Sequence, residues 1–129
     1  MNLLEILENA TKTKHSVDEL ISEFEKVCEI PIQGEDEKMI LFETGTYSFT
    51  GKPMFYFSLV RQYENEEEEY YQLHLDILFE ANADNSSFQQ TMWNSDIEDN
   101  IFDYIKKSKE YSYAKNNPVV KVDVFMDET

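Results

Sequence analysis

Residues 70–80, YYQLHLDILFE, alternate with Leu78 as the exception: Tyr71, Leu73, Leu75, Ile77 and Phe79 point one way, and Gln72, His74, Asp76 and Glu80 the other. Successive side chains of a strand leave opposite faces of the sheet, so this period of two specifies a strand with one face in a core and one toward solvent. The fold is read outward from it.

Upstream, residues 38–49 (KMILFETGTYSF) and 54–63 (MFYFSLVRQY) are rich in β-branched and aromatic residues and flank Thr50-Gly51-Lys52-Pro53, a turn segment. Together they predict a hairpin. Its register depends on the turn. An odd number of loop residues puts Met39, Leu41, Tyr47 and Phe49 on the face of Phe55, Phe57 and Leu59; an even number puts Ile40 and Phe42 there. Between this hairpin and the 70–80 strand, positions 64 to 69 hold five glutamates, a density that belongs in a solvated loop.

The chain before the hairpin has a helical period. Leu3, Leu4 and Leu7 make a short first stripe within residues 2–10, and Val17, Leu20, Ile21, Phe24, Val27 and Cys28 make a longer one reaching about Glu29. Ser16 and Glu19 have the spacing of a capping box, and Pro31 and Gly34 end the pattern. Beyond residue 80, the polar segment 81–94 reads as a long connection, with Phe88, Met92 and Trp93 pinning it to the body of the domain. Ser95 and Glu98 again suggest a capping box, opening a third helix with Ile97, Ile101, Tyr104, Ile105 and Ser108 on one stripe. Asn116-Asn117-Pro118 stops it, and a last strand follows with Val120, Val122, Val124 and Met126 on its apolar face.

The expected architecture is therefore a single α+β domain over residues 1–129. It comprises two N-terminal helices, a three-stranded antiparallel meander, a helical crossover and a final strand joining the sheet. About four strands are expected, with helices mainly on one face and the last strand returning parallel beside the first.

Composition narrows the function. Eleven Lys and Arg against 27 Asp and Glu leave a net charge of −16, and only Arg61 is an arginine. Such a surface repels phosphate, which argues against direct nucleic-acid binding and against docking on anionic membranes. One cysteine, Cys28, fits a reducing compartment, and MNLLEILENATKTKH lacks the basic start and apolar run of a signal peptide, so a cytoplasmic location is expected. No run of residues approaches the length of a membrane helix.

Catalytic signatures are sparse. Cys28 sits on an apolar helical stripe with no base or cation in the pattern, the setting of a small buried hydrophobe. His74 and Asp76 lie two positions apart on one strand face, as a base and an orienting carboxylate would, but no nucleophile accompanies them. His15 stands in a polar linker. The three glycines, at 34, 45 and 51, cannot form a phosphate-cradling loop, and no zinc or calcium spacing occurs, so no cofactor or metal is expected.

Two surfaces remain. One is the outer sheet face bearing Met54, Tyr56 and Val60, which in the odd register is more apolar than solvent requires and is either covered by a helix or used as an interface. The other is acidic: the tip Glu66, Glu67, Glu68 and Glu69, and the helix face Asp96, Asp99 and Asp103. The favoured reading is a non-enzymatic module that binds a basic protein partner, as an inhibitor or immunity protein, a carrier chaperone or a DNA mimic. The alternative is a small-ligand protein or enzyme with a site assembled from His74, Asp76, Tyr56 and Arg61. The sequence is equally compatible with a monomer and a homodimer.

Overall fold

The structure is a computed structural model and describes residues 2–30, 39–49, 52–64, 69–80, 91–96 and 101–128. Helix α1 (Leu3–Thr11) starts where the Asn2 side chain accepts from the Glu5 N–H. Helix α2 (Val17–Cys28) starts at Ser16, whose Oγ accepts from the Glu19 N–H and donates to the Glu19 carboxylate. Each cap supplies an acceptor to a first-turn amide that has no helical partner. Among the described residues, no helix is long and apolar enough to cross a membrane.

Strands β1 (Met39–Phe49), β2 (Lys52–Glu64) and β3 (Tyr70–Glu80) form the antiparallel meander. Phe49 opposite Lys52 leaves a two-residue turn, so the even register holds. Phe42 faces Leu59 and Ile40 faces Arg61, and the apolar positions of β1 join Phe55, Phe57 and Leu59 in the core. Leu73, Leu75, Ile77 and Phe79 of β3 continue this inner face. Phe42, Phe55, Phe57 and Phe79 stack or cross one another with ring centroids 4.8 to 5.8 Å apart, within the range for favourable aromatic pairs.

A fourth strand, β4 (Thr91–Asp96), lies where a long connection was expected. It pairs antiparallel with β1, covering the edge of the meander that would otherwise be open. Ser95 and Asp96 are thus strand residues, and the described part of the third helix starts at Ile101. Its expected single stripe is two helices, α3 (Ile101–Lys107) and α4 (Lys109–Ala114), separated at Ser108. Ile101 and Ile105 are buried, while Tyr104 is exposed. Phe88 and Ile97 lie outside the described residues.

Strand β5 (Val119–Glu128) also departs from the expected topology. The strand order is β4-β1-β2-β3-β5, so the last strand runs antiparallel beside β3 and not parallel beside β1. With β4 already on the β1 edge, the helix pair crosses the inner face and delivers β5 to the opposite edge. The result is an α+β fold whose sheet has five strands among the described residues, against about four expected. All four helices contribute side chains to the inner-face core: Leu7 from α1, Phe24 from α2, Ile105 from α3 and Tyr111 from α4. Burying one face of the sheet under helices leaves the other face as the place to look for function.

Candidate functional site

Alternation along β2 and β3 turns Tyr56, Ser58 and Val60, with His74 and Asp76, away from the helices. The even register of β1 adds Glu43 and Gly45 to this outer face. From β5 come Asp123, Phe125 and Asp127. Residues directly opposite one another share a face, so the registers place Glu43, Ser58, Asp76 and Asp123 in one row across four neighbouring strands. A second row holds Val60, His74 and Phe125, and a third Gln62, Gln72 and Asp127.

The rows are knitted by hydrogen bonds. Tyr56 Oη donates to Glu43 Oε1 at 2.7 Å, and Ser58 Oγ donates to Asp76 Oδ1 at 2.6 Å. The His74 ring stacks on Phe125 with centroids 4.4 Å apart and planes 8° from parallel. Its Nε2 is 3.1 Å from Gln72 Oε1 and 3.4 Å from Asp127 Oδ2. Lys121 reaches Asp123 at 3.3 Å.

Partial burial raises the Asp76 pKa above its ordinary value, with Asp123 and Glu43 adding repulsion; the Ser58 hydrogen bond and nearby His74 oppose the shift. These contacts decide the chemistry. Among the described residues of this face, the Ser58 hydroxyl is committed to Asp76 and His74 Nε2 to Gln72 and Asp127, so no hydroxyl-to-imidazole relay is assembled. Among the described residues, no group of three or more His, Cys, Asp or Glu is disposed to hold a metal ion.

Of the residues proposed for a scattered site, His74, Asp76 and Tyr56 share the outer face. Arg61 does not. It is fully buried on the inner face, with Nη1 donating to the Val27 carbonyl and Nη2 to the Ile30 carbonyl at the end of α2. Cys28 is buried in the core beside that helix end, and His15 is exposed in the linker between α1 and α2.

The proposed interface residues separate in the same way. Met54 and Val60 do lie on the outer face but are only 4% and 6% exposed, so Tyr56 is the member of that set with surface to offer. Glu69 is half-buried and accepts from Tyr71 Oη at 2.7 Å, Asp96 ends β4, and Asp103 is exposed on α3. Glu66, Glu67, Glu68 and Asp99 lie outside the described residues. Sequence reasoning overlooked Glu43, Asp123, Phe125 and Asp127 as members of one surface. The signal for the last three was the odd-numbered positions of β5, visible only once that strand is set beside β3, and Glu43 hung on the register of β1.

Comparison with protein-family models, curated proteins and solved structures finds no match. The functional reading therefore rests on the geometry of the chain itself.

Proposed function

We propose that this chain is a non-catalytic binding module that holds a basic protein segment against the outer face of its sheet. The observation carrying this reading is the β5 side of that face, where Asp123 and Asp127 flank Phe125, which is 36% exposed. Carboxylates around an aromatic anchor suit a cationic polypeptide, the carboxylates steering and orienting it and the ring supplying apolar area. Behind them the Glu43 to Asp76 row adds negative potential, and the net charge of −16 extends it over the molecule. Glu43 and Asp76 are engaged by hydroxyls on the sheet; Asp123 and Asp127, which reach Lys121 and His74, keep 42% and 56% of their side chains exposed and are the carboxylates a partner can approach.

The single cysteine, Cys28, is buried, which suits a reducing, cytoplasmic setting. Inhibitors of basic proteins and carriers of basic clients both fit such a surface.

The test is co-purification from native extract at low ionic strength, comparing the unaltered chain with a D123N/D127N variant. The expected result is a basic protein that is released as salt rises, because exposed charge pairs are screened, and that is recovered poorly by the variant. Equal recovery by both chains, or a retained partner that is acidic, would refute the proposal.

A further inference from the structure

The proposal above says what the partner carries; the sheet topology also bears on the conformation in which it is held. Strand β5 ends the strand order on one side, and no described strand lies beyond it. At ten residues it is long for an edge, and edges present backbone donors and acceptors to any extended chain that approaches.

Proteins blunt such edges with bulges, prolines and lysines. Here these devices crowd the beginning of the strand. Pro118 precedes it, the register with β3 shifts between Leu78 and Phe79 so that Val120 is the extra residue, and Lys121 follows. From Val122 to Asp127 the ladder runs without interruption, from Ile77 opposite Val122 to Gln72 opposite Asp127. That regular half carries Asp123, Phe125 and Asp127 on the outer face, and Val122, Val124 and Met126, only partly buried, on the inner one.

The geometry points to the Val122–Asp127 half of β5 as the docking edge, where a basic segment is added to the sheet as a further strand. Lysines or arginines on one face of the incoming strand would join His74 at Asp127 and compete with Lys121 for Asp123, and apolar residues on its other face would extend the row of Val122, Val124 and Met126. A second copy of this chain is the competing occupant. Charge decides against it, since self-pairing brings together two molecules of −16 each. This inference rests on the partner being basic and adds the element it uses and the shape it adopts.

The probe is a peptide of alternating lysine and valine as long as β5, compared with the same peptide N-methylated at its central residues. Methylation keeps charge and side chains but removes the ladder donors. Expected are slowed amide exchange in Val122–Asp127 with β4 unaffected, and binding roughly tenfold weaker for the methylated peptide, since main-chain hydrogen bonds supply much of the affinity in strand addition. Equal binding of the two peptides, or protection confined to other elements, overturns the edge assignment and leaves the basic-partner reading standing. If neither these peptides nor oligolysine binds at low salt, both fall. A dimer in sedimentation whose β5 amides are protected without peptide would make the second copy the occupant and overturn the inference.

Discussion

Arg61 Nη1 donates to the Val27 carbonyl at 2.6 Å, and Nη2 of the same guanidinium donates to the Ile30 carbonyl at 2.7 Å. The last carbonyls of a helix lack helical partners and carry the negative end of its dipole, so a fully buried cation there answers a donor shortage and a charge at once. The sole arginine of this acidic chain thus ties β2 to the end of α2 from inside the core. Replacing it with alanine is expected to cost about 3 kcal/mol, through the loss of two charge-assisted hydrogen bonds and of buried volume, although the Val27 carbonyl keeps the Ile30 N–H. Arg61→Lys should fall between the two, because one ammonium cannot reproduce the planar fork. Urea unfolding at neutral pH checks the order. Two variants indistinguishable from the parent would mean that the cap contributes nothing.

Gly45 is placed by a different constraint. A Cβ at this position would lie 2.8 Å from Tyr56 Cε1 and Oη, because the Tyr56 ring covers the glycine directly across the strand pair. Gly45→Ala is expected to push the ring aside, break the Tyr56 bond to Glu43, and cost about 1–3 kcal/mol, at the low end because a ring on a flexible side chain can swing. In a Tyr56→Ala background the same change should be neutral or slightly favourable, alanine being no worse than glycine in a strand. A double-mutant cycle by urea unfolding measures the coupling. A cycle that closes with zero coupling would show that the ring is not what excludes a side chain.

Particular residues show how much of this could be read beforehand. The β3 strand was legible because Tyr71 to Ile77 alternate with polar residues in the strictest pattern of the chain, and the first two helices because their stripes and the Ser16 cap agree. The hairpin register was not, since it hangs on the number of residues in one turn, and Met39 and Ile40 satisfy either choice by hydrophobicity alone. Strand β4 was hidden for a thermodynamic reason: TMWNSD has weak strand character, and its conformation is owed to the edge that β1 presents. Ser95 and Glu98 suggested a cap, but Ser95 belongs to β4. Of the candidate site, His74 and Asp76 were visible on one strand, whereas their neighbours Glu43, Asp123 and Phe125 come from strands distant in sequence. Arg61 was grouped with His74, Asp76 and Tyr56 in a scattered site, and only the arrival of α2 makes it a buried cap.

Ser108 marks a break the helical stripe concealed. Its Oγ donates to the Ile105 carbonyl at 2.6 Å and accepts from the Tyr111 N–H at 3.1 Å, closing α3 and opening α4 with one hydroxyl. Ser108→Ala should therefore cost about 1–2 kcal/mol, the upper part of the usual range for losing an N-cap. Ser108→Asp should lose less, since a carboxylate still caps α4 although it cannot donate to Ile105. Thermal unfolding of the two variants separates the functions. Aspartate as damaging as alanine would place the value of Ser108 in the Ile105 bond instead of the cap.

Asp76 gives the fold a pH dependence whose sign follows from its surroundings. Burial, then repulsion from Asp123 and Glu43, raises its pKa above the ordinary 3.8, against the pull of Ser58 and His74. As pH falls from neutral, the folded chain therefore takes up this proton before the unfolded chain does, and the folded state gains from protonation. The contribution of Asp76 to stability is fully present below 3.8 and is lost as pH rises through its raised folded value. Asp76→Asn removes that titration while keeping an oxygen to accept from Ser58 Oγ. The variant is expected to have a higher urea midpoint than the parent at neutral pH, with the advantage disappearing as pH falls toward 3.8. Taking the difference between the two chains cancels the titration of the other carboxylates. A midpoint difference that does not change with pH, or one that favours the parent most at neutral pH, would show that the Ser58 bond and His74 outweigh burial and that the carboxylate is held by the fold in its charged form.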